Sequence, residues 1–140
     1  MRARASPGAP RSAVGVIVAG LAARHAAGLR PFTVMCCDNL PSNGQVLRGL
    51  VLDAAAHEPG LADWIERECC FPNSMVDRIT PATSDADRAW LRNEVGVEDR
   101  WPVVAEPFRQ WVIEDQFAND RPRWEDVGAL FTDRVHEWEI

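Results

Sequence analysis

No lysine occurs anywhere in this 140-residue chain; all fifteen basic residues are arginine. A Schiff base, a lysine general base or a P-loop lysine therefore cannot come from these residues. Tyrosine is absent too, which removes the phenol as a proton donor. No apolar run reaches the roughly 18 residues needed to cross hydrocarbon, so no membrane partner is expected. The patterns Gly-x-Gly-x-x-Gly, Gly-x-Ser-x-Gly and His-Glu-x-x-His are missing, and with them the signatures of dinucleotide binding, esterases and zinc proteases.

What is present suits one globular domain, since 46% hydrophobic and 26% charged residues allow a core and a solvated surface. The net charge of −6 is unevenly spread. Residues 1–37 hold five arginines and no acid, whereas the remainder sets ten arginines against twenty-one acids. Such an acidic body repels phosphate backbones, so no nucleic-acid partner is expected. The basic start followed by the apolar run Ala13 to Ala23 has two readings, a targeting segment or an amphipathic helix with Val14, Ile17, Val18, Leu21 and Ala22 on one face. Residues 1–12, with Pro7, Gly8 and Pro10, read as a disordered tail.

Four cysteines form two vicinal pairs, Cys36-Cys37 and Cys69-Cys70. Zinc sites space their ligands by two to four residues, and neighbours on a strand face opposite ways. The pairs therefore read as buried small hydrophobes with no metal, in a reducing, cytoplasmic compartment. The three histidines, His25, His57 and His136, lack a partnering acid or nucleophile and belong on the surface.

Pro31 to Cys37 is an apolar run that predicts a buried strand. The turn cluster Asp38 to Gly44 follows, and Ser42 or Asn43 then caps a helix carrying Val46, Leu47, Leu50, Val51 and Ala54. A short helix is expected over Leu61 to Glu68, extended chain over Met75 to Pro81, and a helix from Ser84 or Asp85 stopping at Gly96. Trp101 to Ala105 and Arg109 to Ile113 read as extended, and Gly128 to Val135 as a strand or a helix start. This rhythm predicts an α/β domain with a parallel sheet.

In such sheets ligands bind beyond the carboxyl ends of strands, which draws attention to Asn39. Its carboxamide can hold an oxygen that becomes negative during reaction, or simply satisfy a turn. Val76-Asp77-Arg78 places opposite charges among apolar residues. Asp77 reads either as an acceptor for a polyhydroxylated ligand or as a salt-bridge member. Glu106 and Arg109 have the spacing of an ion pair shielding an apolar strand.

Three blocks carry a resemblance. Phe71-Pro-Asn-Ser-Met-Val-Asp-Arg-Ile-Thr-Pro81 is similar to a signature of the mannitol dehydrogenase family, the long-chain polyol dehydrogenases that include fructuronate and altronate oxidoreductases. Phe32-Thr-Val-Met-Cys-Cys-Asp-Asn-Leu-Pro-Ser-Asn-Gly44 resembles the family's strand and loop at the substrate cleft. Trp101 to Asp115 resembles a third block in the expected order. The likeness runs from about Ala13 to Glu139, which favours a helix over a targeting segment at Ala13 to Gly28.

The resemblance implies a zinc-independent, NAD- or NADP-dependent oxidoreductase interconverting a polyol and a ketose, mannitol and fructose by default. Fructuronate and mannonate are the alternative pair, and a non-catalytic remnant used for binding or assembly is another. Asn39 matches one of two family asparagines that polarise the reacting oxygen, and Val76 and Asp77 match residues lining the polyol site. Arg78, Glu106 and Arg109 are assigned supporting roles. The family's lysine base and glycine-rich loop have no match here, so residues 13–140 read as the C-terminal part of the family's Rossmann-type domain, and the resemblance implies a partial Rossmann-like fold with a doubly wound, mostly parallel sheet. The chain's end at His136 to Ile140, with neither helix stop nor polar tail, reads as a truncation. A sheet lacking strands predicts self-association through an exposed edge.

Overall fold

The computed structural model describes residues 10–139. The tail assigned to residues 1–12 lies mostly outside them, and its last residue has a defined task. Ser12 caps α1 (Ala13–Ala26), its hydroxyl accepting from Gly15 N at 3.1 Å. α2 (Asn43–Ala55) and α3 (Pro59–Glu68) pack with α1, as their apolar spacing requires. Leu21, Val51, Ala55, Leu61 and Ile65 meet Val34 and Phe71 in one buried cluster. No described helix is long and apolar enough to cross a membrane. All three histidines are exposed.

The sheet has three strands in the order β1 (Ser74–Asp77), β2 (Gln110–Glu114), β3 (Leu130–Thr132). β1 and β2 are antiparallel, β2 and β3 parallel, so the described sheet is mixed rather than mostly parallel. Val112 and Ile113 are fully buried in its centre, with Ala118, Ala129 and Val135 also buried. A 3₁₀ turn at Val135–Trp138 packs on β1 and β2.

The expected strand at Pro31 to Cys37 is extended but joins no ladder. A single backbone bond, Val34 N to Cys70 O at 3.0 Å, ties it to the chain before β1. Side chains add further ties: Thr33 Oγ1 accepts from Ala118 N at 2.9 Å, Arg30 donates to Ala118 O, and Cys36 O accepts from Ser74 and Asn43. Most of these ties run to residues far away in sequence. Nor are the cysteines fully buried. Cys37 is exposed, the other three are half-buried, and all four are free thiols. Burial is the main cause that raises the Cys37, Cys69 and Cys70 thiols, Cys69 to about 11 with help from Cys70 and Glu68.

The Ser84 expectation holds. A capping box opens α4 (Asp85–Trp90): Ser84 Oγ accepts from Asp87 N at 3.2 Å, and Asp87 accepts from Ser84 N at 2.8 Å. One π turn, Leu91–Val95, then carries the chain to Gly96, whose φ of 74° ends it. The Ser84 hydroxyl and amide bonds hold the Asp87 carboxyl below its ordinary value. That contribution is present above the unfolded carboxylate pKa and is lost as pH falls through the native one. Ser84→Ala should cost about 1 kcal/mol of helix stability at neutral pH. The cost should shrink on acidification below about pH 4, as followed by urea unfolding across pH.

Candidate functional site

α2 begins at a point of unusual closeness. Ser42, in the N-cap position with φ 52°, makes no side-chain cap; its own N–H donates to Glu139 Oε1 at 3.0 Å. The cap comes from elsewhere, because Asn73 Oδ1 accepts from Gly44 N at 3.0 Å. Asn73 is itself held by Glu114, which accepts from its backbone and side-chain nitrogens at 2.8 and 3.0 Å.

Asn43 answers in the opposite direction. Its fully buried amide donates to Asp38 O at 2.9 Å and Ser74 O at 2.8 Å, with Cys36 O at 3.3 Å, and its Oδ1 accepts from Ser74 N at 2.9 Å. One side chain thereby mimics a neighbouring strand, taking both backbone groups of Ser74. Two Asn residues, each serving the other's neighbour, lock the 36–41 loop and α2 onto β1. The sequence offers Ser42 or Asn43 as the cap of α2, but that task falls to Asn73, which it does not single out; the only signals for the pair are Asn-Gly after a turn cluster and Asn-Ser before a strand.

The lock sets what β1 offers to solvent. In an antiparallel pair, alternate residues turn their N–H and C=O toward the partner strand. Glu114 N donates to Asn73 O, so odd-numbered residues of β1 face β2 while Ser74 and Val76 face away. Asn43 occupies Ser74's groups. Those of Val76 point along the free edge of β1.

A cleft of about 520 Å³ lies along that edge. The 39–41 loop forms one wall, Ser74 to Asp77 the floor, and Glu137, Trp138 and Glu139 the far wall, with Gln110 reaching in from β2. Asn39, Val76 and Asp77, singled out separately in the sequence, share this cleft. Asp77 joins none of the ion pairs among the described residues, so the salt-bridge reading does not describe it. Three carboxylates, Asp77, Glu137 and Glu139, line the cleft, and no arginine does.

The supporting residues do otherwise. Arg78 Nε donates to Glu106 O at 2.9 Å, and Glu106 Oε1 accepts from Ile79 N at 2.7 Å, stitching the chain beyond β1 to the chain before β2. The ion pair expected between Glu106 and Arg109 does not form; the Glu106 carboxylate is taken by Ile79 instead.

A dinucleotide needs free amides for its phosphates, commonly at a helix N-terminus. Here α1 is capped by Ser12, α2 by Asn73, and α3 opens on Pro59. The caps of α1 and α2 each take one of the amides that a phosphate would need.

The family model described as the mannitol dehydrogenase Rossmann domain matches residues 4–126. Mannitol 2-dehydrogenases of Phaeosphaeria nodorum and Aspergillus terreus are 54% and 50% identical over 131 residues, in each case 93% of this chain. The match covers 23% and 26% of those proteins. Among solved structures, Pseudomonas fluorescens mannitol 2-dehydrogenase, in a ternary complex with NAD and D-mannitol, is similar with a TM-score of 0.83 and 56% identity. A substrate-free D-sorbitol dehydrogenase gives 0.85 and 47%. Each covers 93% of this chain, which spans 27% of theirs. The chain is thus about a quarter of the length of these relatives, and it belongs to the mannitol dehydrogenase family as part of that family's α/β Rossmann domain.

Proposed function

We propose that residues 13–140 form the polyol-facing part of a NAD- or NADP-dependent oxidoreductase that interconverts mannitol and fructose. The observation that carries this reading is the shared cleft of Asn39, Val76 and Asp77. Asn39 donates an N–H to the substrate oxygen that gains negative charge, where a fixed dipole is worth more than mobile water. The Val76 backbone and the Asp77 carboxylate take hydroxyl groups, one as donor and acceptor, the other as acceptor. The nicotinamide, where bound, supplies the hydride carrier. The family's glycine-rich loop that would hold its phosphates has no match in these residues.

The acidic cleft favours a neutral polyol over the mannonate–fructuronate pair. A carboxylated substrate would face Asp77 and Glu139, with Glu137 paired to Arg134 and no arginine lining the cleft to receive it. Saturation-transfer NMR on the full chain should therefore detect D-mannitol and show D-mannonate bound at least about tenfold more weakly, equivalent to one repelling contact. Equal binding, or none of D-mannitol, would sink the assignment.

A positioned base is typically worth about 10²–10⁴-fold, and no lysine is present to act as one. The purified chain should give no polyol-dependent NADH absorbance, and sustained turnover would overturn that expectation. Self-association through the outer edge of β3 completes the reading, since β3 has a neighbour on one side only while the outer edge of β1 holds Asn43 and the cleft. Light scattering should find species larger than a monomer at micromolar concentration; a clean monomer would remove it.

A further inference from the structure

Gln110 is the register partner of Asp77 across the β1–β2 pair. Directly opposed residues of an antiparallel pair project from the same face with Cβ atoms about 5 Å apart. Both line the cleft described above. Their neighbours are otherwise engaged: Glu137 pairs with Arg134 at 3.0 Å, and Glu139 accepts from Ser42 N. The side chains of Asn39, Asp77 and Gln110 have no hydrogen-bond partner among the described residues, yet all three border one hollow.

Their chemistry is complementary. A carboxylate only accepts, whereas a carboxamide both donates and accepts. Asp77 alone can receive hydroxyl protons but cannot donate to a hydroxyl oxygen. A glutamine beside it supplies that donor without adding a charge, so the pair matches two hydroxyls on adjacent carbons. We infer that Gln110 is a substrate-binding residue that, with Asp77, grips a vicinal diol of the polyol and thereby sets the preference for an uncharged, hydroxyl-rich ligand. This rests on the polyol reading of the cleft.

The test is a D-mannitol titration of the full-length chain carrying ¹⁵N-labelled glutamine. The Gln110 side-chain NH₂ resonances, assigned by their loss in Gln110→Met, should shift in a saturable way. The Gln110→Met chain, similar in length but without the amide, should bind D-mannitol about tenfold more weakly with an unchanged melting temperature. Should that variant melt early, Gln110→Thr keeps a strand-forming residue and is read in the same way. Side-chain resonances that stay still while D-mannitol binds would overturn the inference and leave the polyol reading intact. The same holds if the folded variants bind within twofold of the parent. If the parent chain shows no saturation transfer from D-mannitol at all, the polyol reading itself fails, and the assignment of Gln110 with it.

Discussion

Gly44→Ala should lower the chain's stability steeply, while Gly49→Ala on the same helix should raise it. A β-carbon at 44 would lie 2.4 Å from Phe71 O, 2.6 Å from Pro72 O and 2.7 Å from Pro72 C. All three are backbone atoms of a buried segment, so no side chain can swing aside. Relief requires α2 to withdraw from the strand, which lengthens the Gly44–Asn73 bond and draws Asn43 away from Ser74. Overpacking costs roughly 1–3 kcal/mol, and each buried group then left unpaired adds about 1–3 kcal/mol. Against this the helix gains only about 1 kcal/mol from replacing glycine. The net loss is roughly 3 kcal/mol or more, a large share of a domain's stability. At Gly49 a β-carbon meets nothing within 4 Å, so only the helical gain remains. Urea unfolding of the two variants should shift the midpoint in opposite directions. A Gly44→Ala chain as stable as the parent would show that the close approach is not needed.

The local elements of this fold are legible because local chemistry specifies them. Ser84 and Asp87 stand at capping-box spacing, Gly96 ends the turn that follows, and the apolar period of α1 places Leu21 in the core. The segment Pro31 to Cys37 looks like a strand in the sequence but joins no ladder, because its ties run to Ala118, Cys70 and Ser74, which no window of a dozen residues contains. The same limit hid the mixed sheet, since antiparallel pairing of β1 with β2 is decided across more than thirty residues of intervening chain. For the cleft, Asn39 and Asp77 stand out as polar residues beside apolar runs. Gln110 does not, because only the register against Asp77 brings it there. Asn43 and Asn73 look like ordinary turn residues until each is seen serving the other's neighbour.

Asn43→Asp should be the most damaging isosteric change in the chain. The substitution keeps the shape and the oxygen that accepts from Ser74 N, but it puts a second oxygen where an NH₂ donated to Asp38 O, Ser74 O and Cys36 O. An ionised carboxylate there faces carbonyl oxygens in a site with no solvent exposure. The chain can either unfold or keep the new carboxyl protonated, so that one O–H still donates. Either way, burial and the carbonyl oxygens push its native pKa above the unfolded carboxylate value of about 3.9. A group raised in this way contributes stability below its unfolded pKa and loses it as pH rises. The loss at pH 7 should therefore exceed roughly 4 kcal/mol, beyond the range of most single substitutions. Asn43→Ala, which orphans Ser74's buried groups without adding charge, should lose roughly 3 kcal/mol at any pH. Relative to the parent, Asn43→Asp should recover on moving from pH 7 toward pH 4, whereas Asn43→Ala should not. Urea midpoints of the three proteins across that interval decide it. A pH-independent deficit for Asn43→Asp would mean that the buried amide is not the element clamping the 36–41 loop to β1.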